Sequence, residues 1–194
     1  MAAKGNDRIK REQALQRRLV KLWERGQSPY CQVRESAIHG RGVYATTFIP
    51  KDQKIIEYLG ELISKKESEK RAERQQEKSR RTGDAAVYIF TINKNYDLDG
   101  NVPWNIARLI NHSCDPNCEA QIEGERIFIH ALRDIHPGEE LCYDYGFDVD
   151  CFEEHPCRCG RPQCIGYIVG RDHWPELKLR LGEPRGKRVV RDSA

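Results

Sequence analysis

RLINHSC, residues 108–114, ends on a cysteine that stands some forty residues upstream of the cluster CRCGRPQC, residues 157–164. Cys157, Cys159 and Cys164 give a C-x-C-x4-C pattern, one thiol short of the four closed ligands that a structural zinc takes. With Cys114 as the fourth, a metal would tie the tail of the chain onto the NHSC segment and build one site from two distant stretches. A free-standing zinc knuckle does less, so the identity of the NHSC segment decides fold and function together. The chain has eight cysteines, and a disulfide framework is the competing reading. It fits poorly with three thiols packed so closely, and with an N-terminus, MAAKGNDRIKREQ, that has charges but no apolar segment behind them to act as a secretory signal. Cys31, Cys118, Cys142 and Cys151 are read as ordinary small residues.

A chain of 194 residues has the size of one domain with appendages, and its 38% hydrophobic and 32% charged residues make it hydrophilic. No stretch approaches the run of about 18 apolar residues of a membrane span, so no membrane partner is expected. A formal charge of +3 lacks the bias of a nucleic-acid binder, and direct nucleic-acid binding is not the expected role. The positive charge is local instead. From Asp7 to Arg25, Ile9, Leu15, Leu19, Leu22 and Trp23 recur at helical spacing among Lys and Arg, which predicts a basic amphipathic helix with Asp7 as cap and Gly26 as stop.

The stretch CQVRESAIHGRGVYATTFIPKDQKIIEYLGELIS reads as several small strands broken by Gly and Pro-Lys-Asp turns. Ser64 and Glu67 have capping-box spacing, and from Lys65 to Arg81 eight basic residues face four acidic ones, with Ala72 the lone hydrophobe. That composition predicts a solvated helix or a mobile insertion. A solvated face is the default reading, and docking of an acidic partner the alternative. AVYIFTIN, YDLDG, RIFIHAL and LCYDYGF read as strands, IARLI as a short helix, and DIHPGEE as a turn. GYIVGRDHW makes a final short element, and residues 182–194 are polar, basic and expected to be disordered.

Taken in order, IHGRGVYA at 38–45, RLINHSCDPN at 108–117, GEELCYDYGF at 138–147 and CRCGRPQC at 157–164 closely resemble the SET-domain protein-lysine methyltransferases with a post-SET zinc module. The pattern is nearest to the trithorax/mixed-lineage-leukaemia branch, and the resemblance covers about residues 28–170. It implies a mainly β fold with short helices (α+β), several small β-sheets, and a pseudoknot in which the NHSC segment threads beneath the chain carrying the later tyrosines. The domain plan becomes an N-terminal helix over 1–27, a SET domain over 28–148 with the charged insertion at 64–81, a post-SET module over 149–170 and an extension over 171–194. The resemblance also implies two clefts joined by a narrow channel, one taking S-adenosylmethionine and the other a lysine-bearing protein tail such as a histone.

By the same resemblance, Tyr145 is the catalytic tyrosine, orienting donor and amine rather than acting as a phenolate. Tyr143 matches the position that tunes product state, and a phenol there favours monomethylation. Tyr88 lines both the donor site and the lysine channel. His39, Gly40, Arg41 and Gly42 match the donor-binding turn, Asn111 and His112 a donor-contacting pair, and Arg158 a position whose backbone touches the donor's adenine side. The metal is Zn2+ on Cys114, Cys157, Cys159 and Cys164. Four thiols leave no open position for a water, so it is structural and closes the post-SET loop over the channel. A nuclear location follows for a eukaryotic source and a cytoplasmic one for a bacterial source. Glu57, Glu61, Glu119, Asp148 and Asp150 are candidate groove acids, with surface solvation the competing role. The alternative function is a non-catalytic zinc-stabilised module that binds protein or nucleic acid through its basic segments; a third is an inactive SET scaffold. The intact tyrosines and NHSC run weigh against both.

Overall fold

Short β-branched runs cut by Gly and Pro turns give short strands. The computed structural model describes residues 2–82 and 88–182, and among these ten strands form three small sheets. β1 (Cys31–Glu35), β2 (Arg41–Ala45), β10 (Glu140–Tyr143) and β7 (Asn111–His112) lie in the order β1-β2-β10-β7. β3 (Lys54–Tyr58), β9 (Arg126–Ala131) and β8 (Cys118–Glu123) form an antiparallel sheet in the order β3-β9-β8. β4 (Glu61–Ser64), β6 (Tyr96–Asp99) and β5 (Ile89–Thr91) form the third, in the order β4-β6-β5. Sheets this small cover one another by converging on one core. Val43, Ile49, Ile110, Ile127, Ile129, Ile135 and Leu141 are fully buried there.

The feature that places the site is the parallel pairing of β7 with β10, which matches Asn111 to Cys142 and His112 to Tyr143. Ser113 N–H donates to Tyr143 O (3.2 Å), so the NHSC segment and the tyrosine segment lie side by side although far apart in sequence. β10 ends at Tyr143, and Tyr145 stands past the strand rather than on it. Buried Asn117 braces this crossing: its amide nitrogen donates to Glu140 O (2.9 Å) and its amide oxygen accepts from Cys142 N–H (2.8 Å).

The first helix, α1 (Ala2–Arg25), begins ahead of Asp7, so Asp7 is not its cap. Leu15, Leu19, Val20 and Trp23 are exposed along it. Its end is fixed through Arg25, which shares the buried Glu57 carboxylate with Arg126 (2.5 and 2.7 Å). Glu57 is therefore an ion-pair anchor and not a groove acid.

The charged insertion is a helix, α2 (Lys65–Thr82), and Ser64 Oγ accepts from Glu67 N–H (3.3 Å) as the capping box predicts. With almost nothing apolar to bury, it docks by charge. Lys65 meets Asp97 (2.5 Å), and Arg71 reaches Asp99 (2.6 Å), Glu61 (2.8 Å) and Glu67 (3.1 Å). These carboxylates hold the Arg71 guanidinium above its ordinary range. The strand expected from Ala86 onward is seen over Ile89–Thr91, while residues 83–87 lie outside the described residues.

After β10 the chain enters a second, small core in which Val149, Val169 and Leu177 are buried against Phe152, Ile165, Tyr167 and Trp174. Leu177 sits on α3 (Trp174–Gly182), so this part of the C-terminal extension is folded. Residues 183–194, expected to be disordered, lie outside the described residues.

Candidate active site

The turn between β1 and β2 closes back on itself, with Ser36 N–H donating to Gly40 O (2.9 Å). Gly40 has φ +47°, a left-handed conformation that glycine adopts without a Cβ penalty. Gly42 is needed for another reason. A Cβ there would overlap Glu140 Oε1 and stand 2.8 Å from its Cδ. The turn thus reaches over β7 and forms one wall of a cavity of about 310 Å³. His39, Gly40, Arg41, Tyr88, Asn111, His112, Tyr145 and Arg158 all line it, and Gly42 does not. Gly42 is buried behind the wall, and its part is packing against Glu140.

A second cavity of about 520 Å³ lies between α2 and the C-terminal module. Arg71, Arg74, Ile89, Asp99 and Cys151 line it, and Tyr88, Glu154 and His155 line both cavities. The two spaces therefore share a wall in which Tyr88 stands. Among the expected groove acids, Glu61, Glu119, Asp148 and Asp150 line neither cavity. Glu61 pairs with Arg71 and Asp150 with Arg180 (3.5 Å). The acids that do line the second cavity are Glu73, Asp99 and Glu154.

A file of rings runs from the core, at Phe90 and Tyr143, out to the first cavity, at Tyr145 and Phe147. Phe90 stacks on Tyr143 (5.9 Å), Tyr143 lies 4.9 Å from Tyr145, and Tyr145 lies 5.6 Å from Phe147, between ring centroids. Tyr145 Oη donates to Ile110 O (2.9 Å), which fixes the phenol against the segment leading into NHSC. Burial pushes the Tyr145 phenol well above its ordinary range, and Tyr143 likewise. Both are neutral phenols. Tyr58, buried beside Phe90 (4.8 Å), donates to Tyr88 O (3.1 Å) and supports the shared wall from below.

His112 is buried, and burial lowers it to about 4 against a weaker opposing pull from Asp144, so the ring is neutral. Its Nδ1 accepts from Tyr145 N–H (3.2 Å), which leaves the proton on Nε2, 3.7 Å from Cys114 Sγ. One imidazole thereby joins the tyrosine to the thiol cluster.

The sulfurs of Cys114, Cys157, Cys159 and Cys164 all lie within 4.8 Å of one another. Cys114 Sγ is 3.8 Å from Cys157 Sγ and 3.7 Å from Cys164 Sγ. Four thiolates about 2.3 Å from a tetrahedral zinc stand about 3.8 Å apart, so the residues fit that ion. Gly166 N–H donates to Cys164 Sγ (3.4 Å), and Arg171 Nη2 donates to Cys114 O (2.8 Å), the kind of outer support that orients thiolate ligands. Cys31, Cys118 and Cys142 are buried in the main core, whereas Cys151 is exposed at the second cavity.

Several lining residues escaped the sequence reading. Phe147 follows Tyr143 and Tyr145 at every second position, a signal that was available. Glu154 and His155 carried none, because only the folded module brings them to both cavities. Tyr58 and Phe90, which back the wall without lining either cavity, read as ordinary strand aromatics.

The chain is 45% identical over 139 residues to a Chaetomium globosum protein, 42% over 139 to one of Saccharomyces cerevisiae and 43% over 137 to one of Schizosaccharomyces pombe. Each of these is named "Histone-lysine N-methyltransferase, H3 lysine-4 specific". The alignments cover 69% of this chain but only 12–14% of those relatives, so the chain spans about an eighth of their length. The SET domain matches residues 40–146, from the turn at Gly40 to the glycine just past Tyr145. Because that match takes in more than half of the sequence, the chain belongs to the SET-domain family.

Proposed function

We propose that this chain is an S-adenosylmethionine-dependent protein-lysine N-methyltransferase that adds one methyl group to a lysine ε-amine in a basic protein tail. A histone H3 tail is the first candidate, because the relatives above are named for H3 lysine 4. The observation that carries the reading is the shared wall of the two cavities, with Tyr88 in it and Tyr145 on the donor side. One space suits a donor and the other a substrate tail, and a lysine side chain is long and thin enough to pass between them. A histone substrate places the reaction in the nucleus of a eukaryote; in a bacterium a basic cytoplasmic protein takes its place.

When bound, S-adenosylmethionine supplies a methyl group on a cationic sulfur, to which the lysine nitrogen forms its new bond as the carbon–sulfur bond breaks. The chain contributes positioning and desolvation. Alignment at near-attack distance can supply about 7–11 kcal/mol of such a barrier. Lysine has an ordinary pKa of about 10.4, and a buried aromatic channel beside a cation favours its neutral form. Tyr145, neutral and held on Ile110 O, orients rather than deprotonates. Tyr143, buried behind it, would hydrogen-bond the amine or an ordered water and crowd out a second methyl. Zn2+ on the four cysteines would have all positions filled by sulfur, so its part is to hold His155, Cys157 and Arg158 against the first cavity.

The test is transfer of labelled methyl from S-adenosylmethionine to a panel of histones, H3 tail peptides and lysate, with mass spectrometry of the modified lysines. Tyr145→Phe should bind donor yet lose turnover by roughly 100-fold or more, the range of an oriented group in a transition state. Zinc-loaded protein that neither binds donor nor methylates anything would overturn the enzyme reading in favour of a binding module.

A further inference from the structure

Glu140 lines neither cavity, yet the wall of the first one hangs on it. It opens β10 opposite Tyr44 of β2, and its carboxylate accepts three side-chain donors from three segments. Ser36 Oγ donates to Oε1 (2.7 Å), Tyr44 Oη to Oε2 (2.9 Å), and Asn111 Nδ2 to Oε1 (2.8 Å). Ser36 Oγ in turn accepts from Ile38 N–H (3.0 Å).

The orientation of Asn111 follows from this network. Its amide nitrogen carries two hydrogens and has four acceptors within reach: Glu140 Oε1, Ser36 Oγ (3.1 Å), Arg41 O (3.2 Å) and His39 O (3.4 Å). Turning the amide over would set its oxygen against a carboxylate and two carbonyls. The nitrogen is therefore held on the protein side. Among the described residues no donor is recorded on Oδ1, and Asn111 lines the first cavity. The network leaves a fixed hydrogen-bond acceptor facing that space. It also explains Gly42, since a side chain there would displace the carboxylate.

We propose that Glu140 is the positioning residue of the methyl-donor pocket, fixing the Asn111 amide and the His39–Arg41 turn so that the amide oxygen faces the donor. This rests on the methyltransferase reading above. It acts through Asn111 and makes no contact of its own with donor or lysine, so its loss should appear in donor affinity and leave the chemical step and the lysine site largely untouched.

The experiment is calorimetric binding of S-adenosylhomocysteine to the full chain, together with donor KM, peptide KM and kcat. Glu140→Ala should weaken donor binding by about 10- to 100-fold, the range for losing a charge-assisted hydrogen bond. Peptide KM and kcat at saturating donor should stay within about threefold. Glu140→Gln, which keeps shape and an acceptor oxygen, should restore most of the affinity. Gly42→Ala should weaken binding in the parent but add little on top of Glu140→Ala, because the group it displaces is then gone. Unchanged donor affinity in folded Glu140→Ala, or equal losses in donor and peptide KM, would overturn the proposal. Should that variant lose its zinc and its melting transition, the Ser36→Ala/Tyr44→Phe pair decides: weakened donor binding supports the role, and unchanged binding overturns it. A wild-type protein that fails to bind S-adenosylhomocysteine would sink the methyltransferase reading, and this proposal with it.

Discussion

Replacing Cys164 by serine removes one sulfur at a half-exposed corner of the thiol cluster, leaving Cys114, which is buried against the main core, in place. Among the described residues, the hydrophobic cluster of the C-terminal module has just three buried side chains, Val149, Val169 and Leu177. Such side chains contribute about 1.5–3 kcal/mol each, hence roughly 5–9 kcal/mol together. A structural zinc contributes about 10–16 kcal/mol in small peptides, so zinc bound by these thiols would be the larger support. Without it the module should open while the three sheets stay folded, since their core is built from separate residues. Opening removes His155, Cys157, Arg158 and Ile168 from the first cavity. Donor affinity should fall by roughly 100-fold or more, about 2.7 kcal/mol out of that larger contribution. Hydrogen exchange locates the change: amides over 149–182 should lose protection, and those of the β3-β9-β8 sheet should keep theirs. Zinc content, followed by chelation, should fall in parallel. A Cys164→Ser protein that keeps both its donor affinity and the protection of the module would refute the idea that the metal closes the site.

Tyr143→Phe deletes a hydroxyl while keeping the ring that stacks between Phe90 and Tyr145, so the protein should stay folded and yield di- and trimethylated lysine by mass spectrometry; a purely monomethylated product would refute the product assignment. Arg71→Ala removes the clamp that holds α2 against Asp99 and Glu61, and for partly exposed pairs this is worth about 1–2 kcal/mol. Peptide KM should rise severalfold, more at low salt than at high salt where the clamp is already screened, and donor KM should not move. Burial works to raise the Glu57 carboxyl, but hydrogen bonds from Arg126 and Arg25 outweigh it and hold the group below its ordinary 4.5. The stability this adds is present above pH 4.5 and is lost as pH falls through the depressed value. Glu57→Gln should therefore lower the melting temperature at neutral pH, by the equivalent of about 2–3 kcal/mol, and should flatten the acid limb of the stability curve.

The fold was legible where chemistry left a local mark. Spacing singled out Cys157, Cys159 and Cys164, whereas the crossing of the NHSC and tyrosine segments came only from the family resemblance that the four motifs carry. The helical character of residues 65–81 was legible through Ser64 and Glu67, but its docking was not. Pattern reading looks for apolar stripes, and α2 attaches instead through Lys65 and Arg71 to carboxylates some thirty residues away. Glu57 misled for the same reason: a lone acid on a strand looks solvated until Arg25 and Arg126 are seen on either side of it. Asp7 looked like a cap because it precedes the apolar repeat, whereas the helix starts before it. Glu154 and His155 reach the shared wall only through the folding of the C-terminal module, which no spacing in the chain encodes.

Two residues of β7 show why substitution in the NHSC segment should be costly on physical grounds. Asn111 spends its amide hydrogens on the β1–β2 turn and Glu140, which sets the wall of the first cavity. His112, on the opposite side of the strand, takes the Tyr145 N–H on one nitrogen and presents the other to Cys114. A protonated His112 could not accept from Tyr145, and burial that lowers it to about 4 secures the neutral form across the range where proteins work. The segment is thus the point where the turn, the tyrosine file and the thiol cluster are held in mutual register. A displacement of any one of them would be felt at Tyr145, whose hydroxyl is fixed on Ile110 one residue upstream of the same strand. That is how a metal held by the four cysteines, so far along the chain from the turn at Gly40, would govern the shape of the cavity that Gly40 and Cys157 both line.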